Sequence, residues 1–431
     1  MIPIIPYSTG ETPDRLTAIL SRGDTAADSV RESVERILND VRTNGDDALV
    51  QYSREFDKAE LRPDQFRIPL SECRDALENL EPALREAMEA AAANIRRFHE
   101  HQRRTNWFVN DGDGVMLGKR YTPVDAAGVY IPGGTAPLFS TMLMAVIPAV
   151  VAGVERIVVM TPPSNGGMPH SAMLAAAALV GATEVYRVGG VQAIGALAYG
   201  TETIRPVDVI VGPGNAYVQQ AKKEVYGTVG IDMIAGPSEI VVIADESANP
   251  AWIAADMLSQ AEHGSGLEAA VAIVTDTALA EHVVAEVQRQ AAELPRKETV
   301  DRALERFGAV FVVPDLATAC ELTNRIAAEH VEIQTRDPWA LVDGIRHAGA
   351  IFLGGAAAEP VGDYYAGTNH ILPTGRAARF ASSVGVDDFI KSSSLIAYTS
   401  ERLAKTGPHI GALAEAEGLT AHARAVGIRH R

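Results

Sequence analysis

The stretch EIVVIADESANPAWIAADMLSQAEHGSGLEAAVAIVT, residues 239–275, decides the fold. It begins and ends with an apolar run, EIVVIA (239–244) and AAVAIVT (269–275), and an Ala-rich helical pattern separates the two runs. Apolar strands that alternate with helices are typical of a parallel sheet covered by helices on both faces. We therefore predict a strand–helix–strand unit here, with both strands in one parallel sheet.

The same alternation of strand and helix extends in both directions along the chain. Further strand-like runs are AGVYIP (127–132), RIVVMT (156–161), EVYRV (184–188), VDVIV (207–211), AVFVV (309–313), VEIQT (331–335) and AIFLG (350–354). These are too many strands for one small sheet, so we predict an α/β fold with two doubly wound parallel-sheet domains. A turn at Gly236-Pro237 interrupts the series and marks their border. In such folds ligands bind beyond the carboxyl ends of the strands.

The length and composition are typical of a globular protein. The 431 residues suffice for at least two lobes, each with its own core. The chain is 47% hydrophobic and 22% charged, which is typical of soluble proteins. Its net charge of −17, with no compensating Lys/Arg cluster, argues against a nucleic-acid-binding surface.

The expected lack of targeting signals and the cysteine usage indicate a cytoplasmic protein. The start, MIPIIPYSTGE, lacks a basic region followed by an apolar run, so we expect no signal peptide. The apolar run from Met142 to Val154 is too short to span a bilayer and contains Pro148. Cys73 and Cys320 lie in no CxxC motif and suit a reducing compartment.

Three glycine-containing loops follow predicted strands of the first domain: Tyr130–Pro137, Val188–Gln192 and Val211–Asn215. Glycine lets backbone N–H groups approach an anion closely at a helix N-terminus. The loops therefore favour a phosphate-bearing cofactor, although none matches the G-x-G-x-x-G dinucleotide motif. Tight turns are the alternative. Tyr130, Gln192 and Asn215 are the polar side chains available to a base or ribose, or they stabilise the turns.

Polar side chains with the chemistry of metal ligands are concentrated in the second domain. Gln260 and His263 are three residues apart on the predicted helix, which puts both on one face. Asp363 and His370 lie in the polar loop of residues 360–374, which is long enough to be functional. Together these residues offer nitrogen and oxygen ligands to a divalent ion. The alternative for the Gln260/His263 pair taken alone is two solvent-exposed polar side chains that bind no ion.

Glu329 and His330 are adjacent where a predicted helix gives way to a strand. Carboxylate and imidazole groups can both be tuned to titrate near the working pH, so this pair suits two proton-transfer steps. A solvated glutamate beside a hydrogen-bonded histidine is the simpler reading of such a pair in isolation.

Taken together, these motifs resemble the histidinol dehydrogenase family. The matching segments run in order over most of the chain: IPGGTAPLFST (131–141), VGPGNAYV (211–218), AGPSE (235–239), LSQAEHG (258–264), AEHVEI (328–333), GDYYAGTNHILPT (362–374) and LTAH (419–422). Each segment alone is a modest signal, but seven in the same order are highly specific. Only the helical N-terminal hundred residues lack a recognisable motif.

The resemblance implies a zinc- and NAD⁺-dependent enzyme that oxidises L-histidinol to L-histidine through L-histidinaldehyde, the last step of histidine biosynthesis. It implies one zinc ion per subunit, bound by Gln260, His263, Asp363 and His422, and acid–base roles for Glu329 and His330. By the same likeness, Tyr130, Gln192 and Asn215 contact NAD⁺. The substrate contacts it implies are Ser238, Gln260, His263, His330, Asp363, Glu417 and His422.

The resemblance also implies a domain plan and a homodimer whose active site is shared between subunits. The expected segments are an N-terminal arm (1–24), a helical segment packing on the second α/β domain (25–126), an incomplete Rossmann-like NAD-binding domain (127–235), a second such domain with the metal and catalytic residues (236–380), and a helical C-terminal dimerisation tail (381–431). The tail would cross to the other subunit, which accounts for a metal ligand as late as His422.

Three alternatives to histidinol oxidation are worth separating. Relatives in the same superfamily oxidise other alcohols, including sulfonated diols, and turnover of a substrate panel distinguishes them. A metal-dependent hydrolase using Glu329 leaves the three glycine loops without purpose and forms no NADH. A non-catalytic nucleotide-binding protein has no use for metal ligands and an acid–base pair, and it would contain no bound metal.

Overall fold

The computed structural model describes residues 2–22, 28–110, 112–133, 137–164 and 167–430. The chain forms two compact units. The larger unit contains residues 1–101 and 125–389, and the smaller contains residues 102–124 and 390–431. Among the described helices, none is both long enough and apolar enough to cross a membrane.

The strands and helices, numbered in chain order, have the following bounds. The strands are β1 (Ile4–Pro6), β2 (Arg67–Ile68), β3 (Trp107–Asn110), β4 (Val115–Pro123), β5 (Ala126–Tyr130), β6 (Arg156–Met160), β7 (Glu184–Tyr186), β8 (Val209–Val211), β9 (Gly230–Ile231), β10 (Glu239–Ala244), β11 (Ala269–Val274), β12 (Ala309–Val312), β13 (His330–Gln334), β14 (Ala350–Leu353) and β15 (Ile390–Tyr398). The helices are α1 (Asp14–Ser21), α2 (Asp28–Asp57), α3 (Leu70–Glu78), α4 (Pro82–Glu100), α5 (Phe139–Ala152), α6 (Ser171–Val180), α7 (Gly190–Tyr199), α8 (Ala216–Val225), α9 (Pro250–Ala261), α10 (Thr277–Ala291), α11 (Lys297–Phe307), α12 (Leu316–Ile326), α13 (Glu359–Tyr364), α14 (Ser400–Ala416) and α15 (Thr420–Gly427).

Two six-stranded sheets form the larger unit. The first has the order β2-β7-β6-β5-β8-β9, in which only β2 is antiparallel to its neighbour. The second has the order β1-β12-β11-β10-β13-β14 and is parallel throughout. Every predicted strand is present, and the chain passes from one sheet to the other between Ile231 and Glu239. The α/β fold with two parallel-sheet lobes is therefore confirmed.

The N-terminal segment is more structured than the expected arm. Ile4–Pro6 forms β1, which pairs in parallel with Ala309–Val312 at the edge of the second sheet. Helix α1 follows, and its Leu16 and Ile19 are fully buried in the apolar cluster on one face of that sheet. These first residues therefore complete the second lobe.

The helical segment after the arm packs on the first lobe, so the expectation that residues 25–126 pack on the second is wrong. Helix α2 lies against α7 and α8, α3 lies against α6, and α4 lies against α5. The cause is the apolar face of α2, where Leu38, Val41 and Leu49 are buried in the same cluster as Ile194 and Leu197 of α7. The last part of this segment also departs from a helical pattern, because β3 and β4 lie there.

The smaller unit contains a three-stranded antiparallel sheet, which the sequence did not predict. Its order is β15-β4-β3, and β15 pairs along its whole length with β4, from Ile390 opposite Pro123 to Tyr398 opposite Val115. Strand β15 therefore precedes the helical part of the C-terminal tail. Helices α14 and α15 then follow, as expected, and pack on each other.

A buried ion pair fixes the VGPGN loop after β8. Lys222 and Asp232 are both fully buried and form a salt bridge, and Lys222 Nζ also donates to the carbonyl of Gly212 at 2.9 Å. The N–H of Gly212 donates to Asp232 Oδ2 at 2.8 Å. Gly212 has a φ of +119°, and a Cβ there would lie 2.1 Å from the carbonyl oxygen of Tyr130, so only glycine fits.

We predict that Lys222→Met lowers the free energy of unfolding by about 3–5 kcal/mol, because it leaves Asp232 charged and buried without its partner. Denaturant titration followed by circular dichroism measures this. Lys223→Met is the matched control, since Lys223 is the exposed neighbour on the same helix. It should change stability by less than about 0.5 kcal/mol. Equal effects of the two substitutions would contradict the role of the buried pair.

Candidate active site

The predicted catalytic residues lie at the amino ends of the strands of the second sheet. His330 is the first residue of β13, and Glu329 immediately precedes it. The expectation of a ligand site at the carboxyl ends is therefore wrong for this lobe. A helix that connects two parallel strands runs back to the amino edge of the sheet. Gln260 and His263 therefore lie at that edge, because they are at the end of α9. The glycine loops of the first lobe do follow the carboxyl ends of β5, β7 and β8.

His330 is the centre of a buried polar cluster. Its Nδ1 lies 2.9 Å from Gln260 Oε1, which is a hydrogen bond with the ring as donor. Its Nε2 lies 3.7 Å from Asp363 Oδ1, beyond hydrogen-bond distance, and has no other partner. Burial lowers the pKa of His330, but the carboxylates of Glu329, Asp363 and Glu359 outweigh it and raise the pKa to about 10. At such a pKa the ring carries a proton on both nitrogens near neutral pH, so Nε2 can accept a proton only when the nearby carboxylate charge is offset.

Glu329 is almost completely buried next to this imidazole. Its Oε2 lies 4.0 Å from His330 Nδ1 and has no hydrogen-bond partner in the described structure. Burial raises the pKa of Glu329 to about 8; Glu239 and Asp363 add to the rise, whereas His330 and a hydrogen bond with Ser238 oppose it. A carboxyl group with such a pKa exchanges protons readily near neutral pH, which suits a general base.

Three side chains near His330 are arranged as divalent-metal ligands. His263, Glu359 and Asp363 each offer one ligand atom, and these atoms lie within 4.8 Å of one another. His263 Nε2 lies 3.7 Å from Glu359 Oε1. Two atoms that each bind one ion at about 2.1 Å are at most about 4.2 Å apart, so the cluster needs little adjustment to bind a divalent cation. Gln260 adjoins it, with Nε2 3.2 Å from His263 Nδ1.

The donor atoms of these residues suit such an ion. Glu359 is 1% exposed, yet its Oε1 has no hydrogen-bond partner among the described residues. An ionised oxygen in that position is costly unless a cation or donor lies beside it. The Gln260 carboxamide oxygen that accepts from His330 has a second lone pair, so this residue can also contribute an oxygen without giving up that bond. The residues present therefore fit a divalent cation held by nitrogen and oxygen atoms.

Sequence reasoning missed Glu359. It lies four residues before Asp363, a spacing that puts both carboxylates on one face of α13. That i,i+4 pattern was the available signal. The helix itself is anchored because the N–H of Glu359 donates to Glu332 Oε1 at 2.9 Å, and Ser259 Oγ donates to Glu359 Oε2.

Beneath the cluster lies a second acidic pair that ties together the elements of the site. Gln334 Nε2 donates to Asp256 Oδ2 and to Glu332 Oε2, both at 2.8 Å. Burial raises the pKa of Glu332 to about 9, and the nearby Asp256 adds to the rise. Glu332 therefore carries a proton at neutral pH. This layer joins α9, β13 and the start of α13, which carry the residues around His330.

His370 does not join the three-residue ligand cluster. Its Nδ1 lies 2.9 Å from the carbonyl oxygen of Asp363, and its Nε2 lies 3.1 Å from Thr141 Oγ1 on α5. Burial lowers the pKa of His370, which favours the neutral ring in this bridge. His370 thus fixes the backbone of Asp363 against the first lobe.

The three predicted cofactor contacts have different surroundings. Tyr130 is buried, and its hydroxyl accepts the N–H of Gly190 at 3.1 Å, so it joins β5 to the start of α7. Gln192 is fully buried, and neither its Oε1 nor its Nε2 has a partner among the described residues. Asn215 is the N-cap of α8 and accepts the N–H groups of Tyr217 and Val218 at 3.1 Å. Residues 134–136 of the first glycine loop lie outside the described residues.

The remaining predicted contacts lie in both units. Ser238 precedes β10 beside Glu329, in the larger unit. Glu417 follows α14 and His422 lies on α15, both in the smaller unit and both exposed.

Comparison with known proteins identifies the family. The histidinol dehydrogenase family model matches residues 20–430. The chain belongs to the histidinol dehydrogenase family. It is 50% identical to histidinol dehydrogenase of Aquifex aeolicus over 416 residues, which cover 96% of each chain. It is 49% identical to the Bacillus subtilis enzyme over 408 residues, which cover 95% of each.

A solved structure extends the family assignment to the three-dimensional fold. The histidinol dehydrogenase of Elizabethkingia anophelis is 38% identical, with a TM-score of 0.92 covering 99% of this chain and 97% of that one. As a member of the histidinol dehydrogenase family, the protein is an NAD-dependent oxidoreductase that acts in histidine biosynthesis. This excludes the hydrolase and the non-catalytic nucleotide-binding protein.

We predict that Glu359→Gln weakens binding of a divalent cation by about 10- to 100-fold, because it removes a negative charge and an oxygen donor from the cluster. Competition with a chromophoric chelator measures the affinity. Glu262→Gln is the control, since Glu262 adjoins His263 in sequence but lies outside the ligand cluster. Unchanged affinity in Glu359→Gln would remove Glu359 from the site.

Proposed function

We propose that this protein catalyses the zinc-dependent, four-electron oxidation of L-histidinol to L-histidine by two NAD⁺, through L-histidinaldehyde. The observation that carries the proposal is the buried pair Glu329 and His330 beside the cluster of His263, Asp363 and Glu359. An alcohol oxidation needs a group that removes the hydroxyl proton, and an aldehyde oxidation needs one that activates water. The pair supplies both within one site.

The metal would be held by Gln260, His263 and Asp363, with His422 supplied by the second subunit of a homodimer. Glu359 is close enough to share in this binding. When bound, zinc would orient the imidazole and amine of histidinol and offset the carboxylate charge that raises the pKa of His330. The choice of zinc rests on family likeness, since such nitrogen and oxygen ligands accept several divalent ions.

NAD⁺ binding is assigned to the glycine loops of the first lobe. The start of α7 carries Gln192, whose side-chain amide is buried and unpartnered and so is available to a polar ligand. Asn215 caps α8 on an exposed turn, where the positive end of the helix dipole favours a phosphate. Tyr130 acts mainly by fixing Gly190, the first residue of α7. Bound there, the nicotinamide would accept a hydride in each half-reaction.

In the first half-reaction His330 removes the hydroxyl proton of histidinol as the hydride departs. Its Nε2 takes the proton once the carboxylate charge around the ring is offset, while Gln260 holds Nδ1 and so fixes the ring orientation. In the second half-reaction Glu329 removes a proton from water as the water attacks the aldehyde carbon. The resulting hydrate then loses its hydride to a second NAD⁺. Because both residues are buried, the aldehyde is shielded from bulk water.

The smaller unit supports the homodimer. One face of its sheet exposes large apolar side chains, among them Trp107, Ile396 and Tyr398, which are each between 44% and 73% exposed. A group of exposed apolar side chains this large is typical of an interaction surface. A second copy of the chain is the proposed occupant, and its tail would carry Glu417 to the substrate and His422 to the metal.

We predict that His330→Asn suppresses histidinol oxidation by at least about 100-fold, because it removes the base for the first step. Glu329→Gln should largely spare that step and slow aldehyde oxidation by a similar factor. Counting NADH formed per histidine, from histidinol and from histidinaldehyde separately, measures both. A panel of diols serves as the substrate control. Equal loss of both half-reactions in both variants would contradict this division of labour.

We predict that a strong chelator abolishes turnover without unfolding the chain, because none of the proposed metal ligands lies in the described apolar cores of the second sheet. Circular dichroism checks the fold, and elemental analysis checks metal removal. Re-addition of zinc should restore activity. Full turnover by metal-free protein would rule out the proposed site.

A further inference from the structure

Glu239 is a fully buried carboxylate that the proposed chemistry does not use. It is the last residue of the AGPSE segment and the first residue of β10, next to Ser238. A carboxylate with no exposure is costly unless donors and a counter-charge surround it. Its position at the amino end of β10 puts it beside the amino end of β13, where Glu329 and His330 lie.

The two oxygens of Glu239 bind two separate segments of the site. Oε2 accepts the backbone N–H of Glu329 at 3.2 Å, and Oε1 accepts the backbone N–H of Gly375 at 2.8 Å. The carbonyl of Glu329 accepts the N–H of Ala350 at 2.8 Å, so both backbone groups of Glu329 are engaged. The Glu239 carboxylate thus sets the position from which the side chain of Glu329 projects.

Arg22 supplies the counter-charge from the N-terminal segment. It follows α1, is 8% exposed, and forms a buried ion pair with Glu239. Its Nη1 also donates to the carbonyl of Ile19 at 2.6 Å, which fixes the guanidinium against the helix end. Burial raises the pKa of Glu239, and Arg22 and the two N–H donors oppose that rise.

Glu239 also acts on Glu329 through its charge. The charged groups that face Glu329 are His330 from its own strand, Asp363 from α13 and Glu239 from β10. Burial has the largest effect and raises the pKa of Glu329, Glu239 and Asp363 raise it further, and His330 lowers it. The pH at which Glu329 can take a proton from water is therefore partly set from β10.

We propose that Glu239 is a positioning residue for the base Glu329, fixing its backbone, with Arg22 as counter-ion. The proposal rests on the proposed role of Glu329 in aldehyde oxidation. A residue that only stabilised the fold would leave the pH dependence of that half-reaction unchanged. The pH profile is therefore the readout that separates positioning from stability.

The test measures the rate of histidinaldehyde oxidation as a function of pH in the zinc-loaded Glu239→Gln variant. The rate rises with pH as Glu329 loses its proton. Removing the Glu239 charge while Arg22 stays favours ionised Glu329, so the acid limb should move down by roughly one pH unit. The kcat should also fall about tenfold or more, because the amide nitrogen of glutamine cannot accept an N–H.

Two further variants keep the test decisive. Arg22→Met/Glu239→Gln removes both charges and keeps a side-chain oxygen for the backbone N–H groups, and it should shift the limb down by less because the Arg22 charge is also gone. Glu184→Gln is the control, since Glu184 forms a largely buried ion pair with Arg156 in the first lobe, at 2.8 Å. It should leave the limb in place.

An unshifted acid limb in folded Glu239→Gln or in the double variant overturns the proposal, as does an equal shift in Glu184→Gln. Thermal unfolding shows which variants are folded, and the double variant decides if Glu239→Gln is not. Glu329→Gln separates a failure of the proposed base from a failure of the positioning role. If the acid limb persists in Glu329→Gln, Glu329 is not the base. If the limb is lost in Glu329→Gln but does not shift in the Glu239 variants, only the positioning role of Glu239 is ruled out.

Discussion

The structure depends on how negative charge is compensated around one buried imidazole. Glu329, Glu359 and Asp363 all face His330, and each raises the pKa of that ring. Carboxylates out of contact with water are tolerated only with donors, protons or cations beside them. His330 supplies part of that compensation. Glu359 Oε1 has no hydrogen-bond partner among the described residues, and a divalent cation would compensate its charge.

Compensation of buried charge continues behind the site. Glu239 is matched by Arg22 and two backbone N–H groups, and Glu332 by a proton shared with Asp256 and a bond from Gln334. Each arrangement links segments that are far apart in sequence. The amino edge of the second sheet is therefore a continuous polar layer, and the positions of Glu329 and His330 are fixed from several sides.

Much of the fold followed from local pattern. Apolar runs such as EIVVIA and AVFVV became strands because they are short, rich in β-branched residues and bounded by helical segments. The antiparallel sheet was missed because most side chains of β3 and β15 are exposed and show no alternation. The packing of α2 on the first lobe was also missed, since a helix's apolar face does not say which of two sheets it covers.

The sequence by itself determined the two α/β lobes, the family, and the residues with the chemistry for proton transfer and metal binding. Their types and spacings are local properties that a chain carries in any conformation. Only the tertiary structure decided that the site lies at the amino edge of the second sheet. It also added Glu359 to the ligand cluster and removed His370, and it paired Arg22 with Glu239 across more than two hundred residues. Those facts depend on burial and on distances between remote segments, which no local pattern encodes.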